Sequence, residues 1–443
     1  MGRLRYESFT VPGALGSKDE ASQEFVRALD TGFVDAARGV DLEVAQLDRF
    51  RDADTLLSAV YDDAQDPRAL APTRPVATFG DFDGTLCVKP GVVVPTRMVT
   101  EVSVRGTHRR RGILRNLMTA CLTRSAEQGY ALAALTATED SIYGRFGYGR
   151  AALSASVTVD VRQGLRLRAE VSEAIAAAGL TTFTPSWESF PELYEAAYDA
   201  FQRATPGQTG TTAAFRSRAR GESNPWAVKG QDENWRPLVV VDGTGAVRGY
   251  ALSGTVDWGA SGPRTMKVAD IGADSPLAEV ALWEALGSTD LVDRLSWSEA
   301  PTDFALPAAL RHARDVAFTG RTDHLWIRIL DLPAAFRTRG LAVDGTLRLS
   351  VTDTQGFASG EWLVRTRDGV TEVTLTEEAG TAVGHGGHAS LSVDAEALAE
   401  LYLGTVDPAT MVALGRAEAT AEDIPRLKQL FAVERAPRNT YTF

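Results

Sequence analysis

The spacing of apolar positions changes several times along the chain, and each change marks an element. Ile113, Leu114, Leu117, Met118, Cys121 and Leu122 fall on one face of a helix, which Gly129 closes. Ala21–Ala37 also reads as a helix. Two β-rich runs flank Asp83-Gly84, a tight-turn dipeptide, and predict a hairpin over Arg74–Val88. Strands are expected at Val92–Val94, Met98–Val104 and Ala131–Ala137.

The layout then recurs. Leu238–Val241 and Ala246–Ser253 form a hairpin around Asp242-Gly243, followed by a strand at Thr265–Ile271 and a helix over Ser275–Leu286 with a Ser-Pro start. Gly84 precedes Gly112 by a distance similar to that between Gly243 and Ser275, which argues for a duplicated unit. From about Leu332 the pattern differs. Leu347, Leu349 and Val351 alternate, Glu361–Arg367 and Thr371–Glu377 flank Asp368-Gly369, and helical patterns follow at Asp394–Tyr402, Pro408–Leu414 and Glu422–Phe431. This reads as a separate α+β domain.

Composition changes little in this picture. The 443 residues allow two to four domains at about 100–200 residues each. Two cysteines, Cys87 and Cys121, rule out a disulfide framework. No apolar run approaches the roughly 20 residues of a membrane span, and Met1–Tyr6 has no apolar stretch behind its arginines, so a cytoplasmic protein without membrane association is expected. The net charge of −12 argues against nucleic acid and for cationic small-molecule partners.

The chemistry concentrates in one strand–turn–helix segment, Val102-Ser103-Val104 followed by Arg109, Arg110, Arg111, Gly112, Ile113, Leu114 and Arg115. Free N–H groups at a helix start, with the positive end of the helix dipole and clustered arginines, suit a pyrophosphate. A solvated basic turn is the plainer reading.

Three further motifs compete. Asp81-Phe-Asp83-Gly84 matches the nucleophile motif of haloacid-dehalogenase-type phosphatases, with Lys267, Asp270 and Asp274 as loose partners. His385-Gly-Gly-His388 is a weak metal pair, and no metal is expected. His108, beside the basic turn, reads as structural or as a phosphate contact.

The basic segment, Arg109-x-x-Gly112-x-Leu114, resembles the acyl-CoA pyrophosphate loop of GNAT N-acetyltransferases, with Leu114 where that family has Gly or Ala. Thr107–Arg115, Ser141-Ile-Tyr143-Gly-Arg-Phe-Gly-Tyr148-Gly149, Glu400-Leu-Tyr402-Leu-Gly404 and the final Phe443 resemble the enhanced intracellular survival (Eis) family. The resemblance implies an α/β and α+β chain: a catalytic GNAT domain (1–160), a degenerate GNAT domain (161–331) and a sterol-carrier-protein-like domain (332–443). It implies acetyl-CoA as co-substrate, primary amines of small cationic molecules such as aminoglycosides, and lysine side chains, as acceptors, direct transfer, and a homohexamer. Val102, Ser103 and Val104 would pair with the pantetheine arm, Arg110 to Arg115 would cradle the pyrophosphate, and Thr138 and Glu139 would flank the acyl group. Tyr143 would be the general acid and the Phe443 carboxylate the general base. Thr442 stands where an acidic residue is expected, and Asp35 where the family has an acidic pocket residue. Ser275-Pro276 replaces the Arg/Gly loop in the second domain, which is expected to bind no acyl-CoA. The alternative is a non-enzymatic amphiphile carrier built on the third domain.

Overall fold

A computed structural model describes residues 4–443 except 67, 138, 212–234, 257–261 and 377–387. Its main feature is one 12-stranded sheet shared by the first two domains. The first contributes β1 (Leu4–Phe9), β2 (Leu56–Asp62), β3 (Ala77–Lys89), β4 (Val92–Val104), β5 (Leu132–Thr136) and β6 (Gly149–Asp160). The second contributes β7 (Thr181–Phe183), β8 (Arg236–Val241), β9 (Val247–Val256), β10 (Thr265–Ala273), β11 (Arg294–Ala300) and β12 (Val316–Ile329). The strand order β1-β2-β3-β4-β5-β12-β6-β11-β10-β9-β8-β7 shows that the two domains exchange their last strands. β12 pairs with β5 of the first domain, and β6 pairs with β11 of the second. Two antiparallel strands in contact, β6 and β12, make the seam.

Helices α1 (Glu20–Phe33) and α2 (Val40–Asp52) pack through Phe25, Leu29, Leu47 and Phe50 on Leu57 and Ala59 of β2. A second core joins α3 (Ile113–Glu127) to Val99, Ala133, Leu135 and Trp326, so the sheet is covered on both faces. In the second domain, α4 (Ala169–Ala177), α5 (Phe190–Ala204) and α6 (Pro276–Gly287) play the corresponding parts.

The hairpin expected at Asp83-Gly84 is not there. Both residues lie inside β3, paired with Arg97 and Thr96 of β4, and the chain reverses instead around Gly91 at φ 82°. The short expected strands Val92–Val94 and Met98–Val104 are one strand. Gly84 is needed for packing, because a Cβ there would come within 2.6 Å of Met98 Cγ. The dipeptide is therefore a packing device that imitates a turn signal. Asp81 is buried in β3, where Arg124 Nη2 donates to it at 2.6 Å and Arg97 lies at 3.4 Å. Of the weak metal pair, His385 lies outside the described residues.

The third domain carries a five-stranded sheet in the order β15-β14-β13-β16-β17, formed by β13 (Gly345–Thr352), β14 (Gly360–Arg367), β15 (Val370–Thr376), β16 (His388–Asp394) and β17 (Ala417–Glu418). The short helix α7 (Leu306–Ala309) still packs in the second domain's core; α8 (Leu332–Arg339) leads into the third domain, and α9 (Ala395–Tyr402), α10 (Pro408–Ala413) and α11 (Ile424–Leu430) complete it. Leu347, Leu349, Val364 and Leu391 from the sheet pack with Leu398, Tyr402 and Leu427.

This domain is fastened to β12, the second-domain strand inserted between β5 and β6, by a fully buried ion pair. Arg328 Nη2 on β12 donates to Asp353 Oδ2 at 2.5 Å. Losing one member of such a pair costs about 3–5 kcal/mol, because the other is left charged and dry. No helix among the described residues is long and apolar enough to cross a membrane.

Candidate active site

β4 and β5 run parallel and paired only from Arg97 to Val99 against Ala133 to Leu135. β4 then continues to Val104 without β5. The separation has a local cause. Glu101 adopts φ 53°, and the β3–β4 register slips between Thr78 and Gly80, which is a β-bulge that turns the strand. Thr78 Oγ1 donates to Glu101 O at 2.9 Å and shares a 2.7 Å hydrogen bond with Ser103 Oγ. Ser103 is thus held toward α1, while Val102 and Val104 pack on the α3 side. The opened edge leaves strand backbone facing a gap, which suits a ligand that carries its own amides.

At the head of this gap, Gly106–His108 forms one 3-10 turn and the chain enters α3 through Gly112 at φ 79°. No side chain caps the first turn of α3, so its N–H groups remain available. The loop is shaped from β2: Asp62 Oδ2 lies 3.1 Å from His108 Nε2 and 3.6 Å from Arg111 Nη1. The Ala64 N–H and the His108 ring hold the Asp62 carboxyl below its usual range. Arg109, Arg110, Arg111, Gly112 and Arg115 are exposed around this amide cluster, and Arg110 takes φ 63°. The arrangement forms an anion cradle at a helix N-terminus. Leu114, where Gly or Ala is usual, is half-buried against the α3 core.

Beyond β5, Thr138 lies outside the described residues, and Glu139 is exposed, accepting from Ser141 Oγ at 3.0 Å. Two 3-10 turns, Asp140–Ile142 and Gly144–Phe146, frame Tyr143. The Tyr143 ring is buried beside Tyr148 and Trp326, at centroid distances of 6.1 and 6.5 Å. Burial, and secondarily the charge of Glu139, push its phenol up to about 12. The loop is pressed between β12 and α9. Gly147 has φ 76°, and a Cβ there would meet the Arg328 guanidinium at 2.8 Å. Glu400 of α9, fully buried, accepts from Arg150 Nε at 2.6 Å and from Arg416. The third domain therefore fixes the loop that carries Tyr143.

The other wall is the end of the chain. The Phe443 N–H donates to Thr136 Oγ1 at 3.3 Å, and the Thr136 hydroxyl donates to a Phe443 carboxyl oxygen at 3.1 Å. The Phe443 ring meets Phe82 edge-on at 5.8 Å and lies 5.8 Å from Tyr441. These three aromatic residues, with Met98 and Gly84, border a cleft of about 330 Å³, whose rim includes Asp52 and Asp54.

Two GNAT acetyltransferase domain models match residues 18–151 and 216–329, and a sterol carrier protein domain model matches 332–438. An uncharacterized N-acetyltransferase of Streptomyces avermitilis is 32% identical over 407 residues, covering 90% of each chain. The N-acetyltransferase Eis of Mycobacterium tuberculosis is 31% identical over 366 residues, covering 82% of this chain and 84% of that protein. The chain belongs to the Eis family of GNAT N-acetyltransferases. The crystal structure of Eis1 from Mycobacterium abscessus superposes with a TM-score of 0.75 at 25% identity, over 99% of this chain and 100% of that one. A GCN5-related N-acetyltransferase from Anabaena variabilis shares the fold at 18% identity, TM-score 0.74, over 99% of this chain and all of the other.

For this Eis-family enzyme, the sequence missed three site residues. Asp35 lies exposed just past the end of α1 and does not line the cleft; besides Asp83, which pairs with Arg97 at 2.7 Å, the carboxylates there are the two at the rim, Asp52 and Asp54. They follow the apolar face of α2 at its C-terminus, a place where acids usually read as helix surface. The third is Glu101, the bulge residue. Burial pushes its carboxyl up to about 7, against the pull of Arg38 and Arg49, and Gln46 Nε2 donates to it at 3.0 Å. Only the positive φ, invisible in the sequence, marks it.

Proposed function

We propose that this enzyme transfers the acetyl group of acetyl-CoA directly to a primary amine of a small cationic acceptor, aminoglycosides and lysine side chains among them. The observation that carries this reading is the meeting at Thr136 of two half-sites: the opened β4 edge with its arginine-rich helix start, and the Phe443 carboxyl beside an acid-rimmed aromatic cleft. GNAT folds take acyl-CoA donors generally, and the cradle here fits one: uncapped amides and exposed arginines for the pyrophosphate, strand edge Val102–Val104 for the pantetheine amides.

An ammonium acceptor would be drawn to Asp52 and Asp54 and must lose a proton to become a nucleophile. The Phe443 carboxyl, half-buried against Phe82 and Tyr441, would take that proton, directly or through one water. The amine nitrogen then bonds to the thioester carbon, the carbon–sulfur bond breaks, Tyr143 gives its proton to the leaving thiolate, and the second proton shed by the nitrogen restores the Tyr143 phenol while the Phe443 carboxyl releases the first to solvent. A phenol held protonated by burial is in the right state to donate at neutral pH. Thr442, exposed beside the cleft, replaces a charge with a hydroxyl and would narrow the range of polycationic acceptors.

The family resemblance also supports a homohexamer, which light scattering would test as six times 47.5 kDa. Activity is tested by following free thiol release across a panel of amines. Acetyl-CoA-dependent release with cationic primary amines, and none with neutral alcohols of the same size, is expected. No thiol release with any amine would overturn the reading.

A further inference from the structure

The second domain reproduces the splayed strands of the first but not its anion cradle. β10 pairs with β11 in parallel only from Thr265 to Lys267 against Arg294 to Ser296, and the strands then part, as β4 and β5 do. The helix that follows β10 begins differently from α3. Ser275 caps α6 by accepting from Ala278 N, Pro276 stands at its start, and Glu279 lies in its first turn. A carboxylate therefore stands where the first domain offers arginines and free amides. Such a slot repels a pyrophosphate and attracts a cation.

A cation from the chain itself fills it. The Arg438 side chain is 2% exposed. Its Nη2 donates to Ile271 O, on the part of β10 that has left β11, at 2.6 Å, and its Nη1 donates to Glu279 Oε2 at 2.9 Å. Its guanidinium lies 4.7 Å from the Trp297 ring of β11 and 5.0 Å from the Phe201 ring of α5. Both diverging strands and both flanking helices thus contact one side chain.

The strap that leaves this plug runs to the active site. Arg438 N donates to Pro206 O at 2.8 Å, and Thr440 N to Gln208 Oε1 at 3.1 Å. Asn439 accepts from Thr209 Oγ1 at 3.1 Å. Half-buried His324 lies with Nε2 3.0 Å from Tyr441 O, where an N–H tautomer donates. Phe443 then meets Thr136. Fully extended chain spans at most about 3.6 Å per residue, so fixing Arg438 limits where Phe443 can reach.

We propose that the acyl-donor slot of the second domain has become the anchor of this strap, and that Arg438 and Glu279 are positioning residues that set the Phe443 carboxyl at the end of β5. The degenerate domain serves catalysis by holding the chain terminus instead of a co-substrate. This rests on the reading that the Phe443 carboxyl takes part in the reaction.

The test uses the full chain with Glu279→Gln, Arg438→Met and the milder Arg438→Lys, which keeps the charge if Arg438→Met does not fold. Three quantities are read: kcat for one amine, the acetyl-CoA Kd, and the rate at which carboxypeptidase releases Phe443 from folded protein. Misplacement by about 1 Å can cost about 100-fold in rate, so kcat should fall 10- to 100-fold for Glu279→Gln and Arg438→Met and less for Arg438→Lys. Phe443 release should accelerate in the same order, with the acetyl-CoA Kd unchanged. Normal kcat and normal protection in these variants would overturn the anchor while leaving a role for Phe443 intact. Accelerated release with normal kcat would overturn the positioning role. Full activity of a chain lacking Phe443 would instead remove the reading on which the anchor rests.

Discussion

The Thr136 hydroxyl donates to a carboxyl oxygen of Phe443 at 3.1 Å, joining the end of a strand in the first domain to the last residue of the third. This contact fixes the chain terminus by two hydrogen bonds to one oxygen atom, Thr136 Oγ1. Thr136→Val keeps the β-branched shape that suits a strand and removes only the hydroxyl. One hydrogen bond to a charged group is worth about 1.5–3 kcal/mol. The expected result is a fall in kcat of about tenfold or more with unchanged acetyl-CoA affinity, read by steady-state kinetics and calorimetry.

Charge reversal at the cradle tests the donor site. Arg110→Glu places an anion beside the uncapped start of α3 and should weaken acetyl-CoA binding about tenfold or more. Calorimetry on the wild type should give one acetyl-CoA per chain, because Glu279 and Arg438 occupy the corresponding slot of the second domain.

Tyr143→Phe should lower kcat about 100-fold while acetyl-CoA binding is retained. The wild-type phenol, pushed up to about 12 by burial, stays protonated across neutral pH. No alkaline loss of activity should therefore arise from it below about pH 11.

Glu101 gives a pH dependence of stability. Its carboxyl, pushed up to about 7 by burial, has a folded value above its unfolded one near 4.5. The folded state binds the extra proton, so its contribution is fully present below about pH 4.5 and is lost as pH rises through about 7. Glu101→Gln should raise the unfolding free energy at pH 8 by about 2 kcal/mol, seen as a higher Tm, and make little difference at pH 4.5. Thermal melts at the two values decide this.

Much of this architecture was legible in the sequence because it rests on local periodicity. The α3 face, the Gly129 stop and the Ser-Pro start of α6 are all readable within one turn of helix, and so is the basic loop between Val104 and Ile113. The three-domain order came from motif resemblance. What stayed hidden depends on residues far apart in the chain. The exchange of β6 and β12 leaves no local trace, because each strand would read the same beside either neighbour. Asp83-Gly84 carried a turn signature, yet Met98 needs the space above Gly84, and the two residues continue β3. The acidic rim at Asp52 and Asp54 emerges only when Phe443 closes the cleft from the opposite side. Asp35, placed by resemblance to an acidic pocket residue, stands past the end of α1 and outside that lining, because which helix end faces the chain terminus is set by contacts far apart in the chain.

We propose that the terminal carboxyl of Phe443 completes the active site of the first domain. Single-turnover acetyl transfer, followed by free thiol in protein with and without Phe443, decides this. The terminus contacts Thr136, Phe82 and Tyr441, none of which belongs to the arginine cradle of α3. Deletion of Phe443 should therefore reduce the transfer rate by at least about 100-fold while the acetyl-CoA Kd and Tm stay close to those of the full chain. A transfer rate within about threefold of the full chain would contradict the claim and assign the proton of the attacking amine to another group.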